Sequence, residues 1–181
     1  NRHIPTIYTG ECPMDSGGYF IIKGSEKTVL GQERAAENRV YCFDGKNTTK
    51  WLYYAEIKSV PDNKQISPKQ IEVLISNKNI GFGNSIYVNV PRLKVPIELF
   101  TLYRAMGIVS DKRICEYIVL NIENKDSSAI LEYLQGSIID ANKNMTQEDA
   151  LKYITSNVSY TPINMDKETG MIKKREFALD I

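Results

Sequence analysis

The chain has 181 residues, room for one ordinary domain or two small ones with a core that needs neither metal nor disulfide. Its 42% hydrophobic, 25% charged and 9% aromatic content lies near globular usage and excludes a disordered, collagen-like or coiled-coil class. With 23 basic against 22 acidic side chains the net charge is +1, which excludes bulk electrostatic capture by nucleic acid or an anionic membrane and leaves any such contact to a few placed residues.

The segment Asn1 to Gly10 lacks the charged, apolar, small-residue order of a signal peptide, and no run of about 18 apolar residues follows, so the expectation is an intracellular chain with no membrane partner. Asn47-Thr48-Thr49 and Asn157-Val158-Ser159 match the glycosylation pattern and are read as coincidental. Tyr19 to Lys23 and Lys27 to Leu30 read as strands around a Gly24-Ser25-Glu26 turn. A polar stretch at Arg34 to Asn38 suggests a domain junction. Arg39 to Phe43 and Trp51 to Lys58 form a second strand pair about the Asp44-Gly45-Lys46-Asn47 turn signal. Gln70 to Ile75 and Ile86 to Val90 form a third, separated by an Asn- and Gly-rich loop over Asn77 to Asn84, with Ile86, Val88 and Val90 on a buried face and Tyr87 and Asn89 on an exposed one.

After Pro96 the period becomes helical. Leu99, Leu102, Tyr103 and Met106 share a face, with Pro96 in the first turn and Gly107 at the C-terminal end. Ser110 caps a helix over Asp111 to Leu120 with Ile114, Tyr117 and Ile118 inside. Ile130, Leu131, Leu134, Ile138 and Ile139 mark a third helix. Thr146-Gln-Glu-Asp149 opens a fourth, with Leu151 and Ile154 inward. Pro162 to Lys174 reads as a polar connector with a turn at Glu168-Thr169-Gly170, and Lys173 to Ile181 as the start of a last helix. Strands followed by about four helices, without strict alternation, indicate an α+β fold with an antiparallel sheet in the N-terminal half.

Few residues carry chemistry. His3 is the only histidine, so there is no histidine pair for zinc, and a Ser-His-Asp or Cys-His arrangement would depend on a terminal residue. Cys12, Cys42 and Cys115 form no C-x-x-C pair and read as free, partly buried thiols. Gly24-Ser25-Glu26-Lys27 resembles a phosphate-binding loop only superficially, because two residues separate glycine from lysine and a strand follows instead of a helix. Lys27 remains a positioned cation able to meet a backbone phosphate. Glu11 with Asp15 marks a loop geometry more than an acid/base pair, and Glu148 with Asp149 a helix N-terminus in solvent. Trp51, Tyr53 and Tyr54 suit sheet packing better than base stacking. Lys173-Lys174-Arg175 is too short for a nucleic-acid patch and reads as a solvated helix start. The residues alone give no active site and leave open a free-standing protein-interaction module or a single-strand binder using Trp51 and Tyr53.

One stretch is more specific. Glu11-Cys-Pro-Met-Asp-Ser-Gly-Gly-Tyr-Phe-Ile-Ile-Lys-Gly-Ser-Glu-Lys27, continuing to Gln32-Glu33-Arg34, resembles a signature of the second-largest subunit of multisubunit DNA-dependent RNA polymerases, approximately E-C-P-x-D-x-G-G-Y-F-I-I-N-G-S-E-K. Lys23 stands where that family has asparagine and Gly31 where it has alanine. Further segments keep the family's order: Ala55-Glu-Ile-Lys-Ser59, Pro96-Ile97 with Tyr103-Arg-Ala-Met-Gly-Ile-Val-Ser-Asp111, Ala150-Leu-Lys-Tyr-Ile154 and Arg175-Glu-Phe-Ala-Leu-Asp-Ile181. The Glu11-Cys12-Pro13 and Gly17-Gly18-Tyr19 versions resemble the eukaryotic, archaeal and large-DNA-virus branch. Only five residues separate Pro5 from Glu11, where the family has some twenty.

The resemblance implies a fragment of a much longer subunit, with residues 1–34 closing the protrusion, 35–161 forming the lobe and 162–181 a connector and helix returning toward the protrusion. It implies a non-catalytic wall of the DNA cleft within a nucleotidyltransferase, with no cofactor in this fragment and magnesium and zinc held elsewhere in the assembled enzyme. The implied partners are the largest subunit, a small zinc-ribbon subunit, initiation factors, DNA and the RNA–DNA hybrid, which Lys27 is implied to face and to which Lys23 adds a phosphate contact. The implied place is the nucleus for a cellular eukaryotic source, and the cytoplasm or virion for a large DNA virus.

Overall fold

The structure, a computed structural model, describes residues 3–45, 50–122, 124–161 and 163–181. The sequon at Asn47, half of the Asp44 to Asn47 turn signal and Pro162 of the predicted connector lie outside the described residues. The chain divides into two compact units, residues 1–35 and 36–181.

The first unit holds a short helix, α1 (Thr6–Thr9), and a hairpin of β1 (Phe20–Ile22) and β2 (Ser25–Lys27). The pairs Phe20↔Lys27, Ile21↔Glu26 and Ile22↔Ser25 put the turn at Lys23-Gly24, one residue earlier and one shorter than the predicted Gly24 to Glu26 turn. Both turn residues have positive φ, 52° and 76°, as the two-residue turn that matches strand twist requires. Gly24 adopts this freely. Lys23 occupies a conformation that asparagine, its counterpart in the resembling signature, accepts at lower cost. No described residue of this unit is buried.

The second unit has the α+β order read from the sequence, with five α-helices after the sheet among the described residues where about four were predicted. Its sheet runs β3 (Val40–Asp44), β4 (Trp51–Ser59), β5 (Lys69–Asn79), β6 (Asn84–Asn89) and β7 (Ile97–Glu98), in sequence order and antiparallel throughout. β5 continues through Asn79, so the Asn-rich loop shrinks to residues 80–83, where Asn79 Oδ1 accepts from Gly81 and Gly83 N–H. The predicted face of β6 is mixed: Ser85 and Val88 are buried, while Ile86, Tyr87 and Val90 are half-buried, because helices meet this strand from its edge as well as its face. Pro96 precedes β7 instead of opening a helix.

The helices are α2 (Leu99–Ala105), α3 (Asp111–Val119), α4 (Lys125–Asp140) running into a 3₁₀ turn (Ala141–Lys143), α5 (Gln147–Ser156) and α6 (Lys167–Leu179). Phe100, Ile114, Cys115, Leu134 and Ala141 form the core, with Ile86, Leu131 and Ile138 packed against it. Two predicted inner faces are corrected. On α2 the buried residues are Phe100, Thr101 and Arg104, whereas Met106 is exposed, because a buried arginine and threonine occupy the stripe that an apolar pattern assigns to its neighbours. On α3 Tyr117 is 57% exposed and Cys115 takes the inner position.

α4 crosses β6 at Gly136, where an added Cβ would lie 3.0 Å from the carbonyl carbon of Gly83; the adjacent Ser137 Oγ accepts from Ile86 N–H at 2.9 Å. α6 begins six residues before the predicted last helix. Asp166 caps it by accepting from Thr169 N–H at 3.2 Å, and Gly170 is buried inside the helix where a turn was predicted. Helix-starting chemistry here outweighs the turn preference of glycine.

Candidate nucleic-acid interface

The hairpin fixes both sequence-predicted contacts. Lys27 lies at its open end opposite Phe20, and Lys23 lies in its turn, so roughly 10 Å of strand separates them. The structure exposes both side chains and does not bring them together. The pairing puts Lys27 on the face of Phe20 and Ile22, with Ile21 and Glu26 on the other, so the ammonium sits beside apolar surface. The preceding loop is organised by Asp15, whose Oδ1 accepts from Gly17 N–H at 2.9 Å and whose Oδ2 accepts from the Tyr19 hydroxyl. These bonds, the tyrosine's first, hold the carboxyl below its usual range, and the bond to Asp15 together with its charge pushes the Tyr19 phenol up. Asp15 thus shapes the glycine turn, as the loop-geometry reading expects, and Glu11 shows no pairing with it. Cys12 and Cys42 are exposed instead of partly buried, and only Cys115 is buried. Its thiol is pushed up by burial and then by Asp111.

In the second unit most of the candidate groups are engaged in packing. Trp51 lies 5.6 Å from the Tyr87 ring under the Lys50 ammonium, and Tyr54 stacks on Phe43 at 5.1 Å; Tyr53 alone of the three aromatics is exposed. Thr146 caps α5 by accepting from Asp149 N–H. Glu148 is clamped by both Arg175 Nη atoms at 3.0 Å, which corrects the reading of Arg175 as part of a merely solvated helix start. Phe177 stacks on Tyr160 at 5.2 Å, with the Arg92 guanidinium over its ring. These contacts fasten α6 to the rest of the unit.

Sequence reasoning missed two polar centres. The Arg104 guanidinium, 1% exposed, donates from Nη1 to the Ala141 and Asn144 carbonyls at 2.7 and 2.8 Å and from Nη2 to Asp111 Oδ1 at 2.7 Å. It joins the end of α2, the start of α3 and the 3₁₀ turn. The signal was available in Tyr103-Arg-Ala-Met-Gly107, a motif whose arginine composition alone assigns to the surface. The second centre is Asp140, which accepts from the Tyr87 hydroxyl at 2.6 Å and from Lys143 Nζ at 3.1 Å. Burial by itself would raise the Asp140 carboxyl, but these two partners outweigh it and hold it below the ordinary range. Burial first, then Asp140, pushes the Tyr87 phenol far up.

The sign of the acid dependence follows. A depressed native carboxyl contributes stability that is complete above its unfolded value, about 3.9, and is lost as pH falls through the folded value. The stability gap between the parent and Asp140→Asn, measured by urea unfolding, is therefore expected to be constant near neutrality and to close below about pH 4. A gap independent of pH would refute the assignment.

Among the described residues no three His, Cys, Asp or Glu side chains gather as metal ligands, and no helix is long and apolar enough to cross a membrane.

Comparison with known proteins gives these features a context. The family model described as RNA polymerase Rpb2, domain 2, matches residues 36–179, nearly the whole second unit. The chain belongs to this family. It is therefore a lobe-type segment of a second-largest RNA polymerase subunit. The chain is 35% identical over 170 residues to the DNA-directed RNA polymerase II subunit RPB2 of Encephalitozoon cuniculi, covering 94% of this chain and 14% of that protein. It is 33% identical over 174 residues to subunit Rpo2 of Saccharolobus shibatae, covering 96% and 14%, and 29% identical over 157 residues to DNA-directed RNA polymerase subunit 2 of Acanthamoeba polyphaga mimivirus, covering 87% and 12%. The chain thus spans 12–14% of the length of these relatives. In this Rpb2-type domain the Arg104 centre and the α6 anchors fall inside the matched region, whereas the Lys23–Lys27 hairpin falls outside it.

Proposed function

We propose that this chain acts as part of the DNA-channel wall of a DNA-directed RNA polymerase, positioning nucleic acid and docking protein partners while nucleotidyl transfer is performed by residues elsewhere in the enzyme. The observation that carries this reading is the Rpb2 domain 2 match over residues 36–179, together with a relative named as an RNA polymerase II subunit that aligns with 94% of the chain. The partners are other polymerase subunits, the largest among them, with a small zinc-ribbon subunit and initiation factors on the lobe. Supporting a protein-contact role, strands β3 to β5 carry an open apolar face. Val40, Tyr53, Ile71 and Val73 are exposed there, and Cys42, Phe43, Tyr53, Val73 and Ile75 line a groove of about 230 Å³. Magnesium and zinc belong elsewhere in the assembled enzyme.

Lys27 supplies one phosphate contact to the RNA–DNA hybrid, and Lys23, at the tip of the same hairpin, a second. The exposure of both side chains on a short two-stranded ribbon supports this role. In the assembled enzyme, Lys27→Ala is expected to reduce the slope of log stability against log salt for the elongation complex by about 0.7–0.9, the share of one phosphate. Lys23→Asn, which suits the positive-φ turn, tests the second contact without disturbing the hairpin. Slopes unchanged in both variants across a salt series would remove the hairpin from the interface.

A further inference from the structure

We infer that the inward stripe of α2 is a hydrated seam, holding ordered water molecules between this helix and the elements packed on it. Glu98, Thr101 and Arg104 follow one another at three-residue spacing from the N-cap of α2, and all three are at least nine-tenths buried, with 6%, 0% and 1% exposure. Each presents a polar atom that makes no hydrogen bond within the protein: Glu98 Oε2, Thr101 Oγ1 and Arg104 Nε. Ser85 Oγ, 1% exposed on the neighbouring strand β6, completes no well-formed hydrogen bond either, although Tyr87 and Asp140 lie within its reach. These four are the only such buried side-chain atoms among the described residues; two of them belong to α2 and a third to its N-cap residue.

A polar atom buried without a partner is destabilising, and native interiors satisfy such atoms with protein or ordered water. The chemistry of the four fits water. A carboxylate oxygen accepts, a guanidinium Nε–H donates, and the two hydroxyls do both, so a water can complete bonds between any adjacent pair. A water about 2.8 Å from each of two partners bridges atoms up to roughly 5.6 Å apart. The surroundings are polar enough to hold it: Tyr87 pairs across the sheet with Glu98, the Tyr153 hydroxyl lies within hydrogen-bond reach of the Glu98 carboxylate, and Ser85 lies within reach of Tyr87 and Asp140.

Thr101→Val separates a hydrated seam from a dry one by sign, because it removes the hydroxyl at nearly constant volume. In a dry seam the valine relieves an unpartnered hydroxyl and leaves the urea midpoint unchanged or raised; in a hydrated one it strands a water and lowers the midpoint. A crystal structure of the 181-residue chain is expected to show at least one water within about 3.2 Å of two of the four atoms, and the Thr101→Val crystal to lose or displace it. An unchanged or raised midpoint, or a seam without water in the parent crystal, would overturn the inference. If valine prevents folding, Thr101→Ser, which keeps the hydroxyl, is expected to fold and retain the water; its loss there would count equally against the seam.

Discussion

Arg104→Ala is expected to lower the stability of the second unit by about 3–5 kcal/mol, read as a fall in the urea midpoint of the 181-residue chain at unchanged slope. The guanidinium makes three charge-assisted hydrogen bonds at 2.7–2.8 Å, and its removal leaves the Ala141 and Asn144 carbonyls and Asp111 without their shared donor. It also opens a void where α2, α3 and the 3₁₀ turn meet, so a transfer term and a packing term add. Arg104→Lys keeps the charge but loses the fork that reaches three acceptors in two directions, and should recover only part of the loss. Asp111→Asn should cost less than Arg104→Ala, because the Asp111 side chain is 37% exposed, water can compensate there, and an amide oxygen remains for Nη2. Equal losses at both positions would mean that the ion pair matters and the carbonyl contacts do not.

Phe100→Ala is expected to cost a similar amount, about 3–5 kcal/mol. Its ring has no solvent exposure and sits among Ile114 and Cys115 of α3, Leu134 of α4 and Ala141 of the 3₁₀ turn, so three elements lose their common contact at once. Tyr117→Ala provides the matching control. Apolar spacing puts Tyr117 on the inner face of α3, whereas it is 57% exposed, and a surface change of this kind stays within about 0.5 kcal/mol. A large loss at Tyr117 with a small one at Phe100 would reverse the packing described for these helices.

The contrast between those two positions shows what the sequence made legible. Strands with β-branched and aromatic runs, such as Trp51 to Ser59, announce themselves because pairing and packing favour the same residues. The α5 start at Thr146 is equally plain, since the cap that reads from sequence is the cap that forms. The α2 stripe was hidden because its interior is polar. Thr101 and Arg104 look like surface residues until the partners of Arg104, 37 and 40 residues away in the chain, are known. The start of α6 was hidden for a related reason: a buried glycine inside a helix carries the same letter as a turn. The hairpin turn slipped because Lys23 adopts a positive φ that its residue type does not advertise. Lys27 stands out in the sequence only through its motif, and its distance from Lys23 depends on pairing register, which only coordinates supply.

The claim that this chain walls the nucleic-acid channel without taking part in bond formation is tested most directly by an electron cryomicroscopy reconstruction. The specimen is an assembled polymerase carrying this sequence in its second-largest subunit, bound to a DNA–RNA scaffold. The account predicts residues 36–181 flanking the channel, Lys27 within reach of a hybrid phosphate, and the catalytic magnesium ligated wholly by residues outside this segment. A catalytic metal held by any side chain of residues 1–181, or the second unit lying away from the channel, would contradict it.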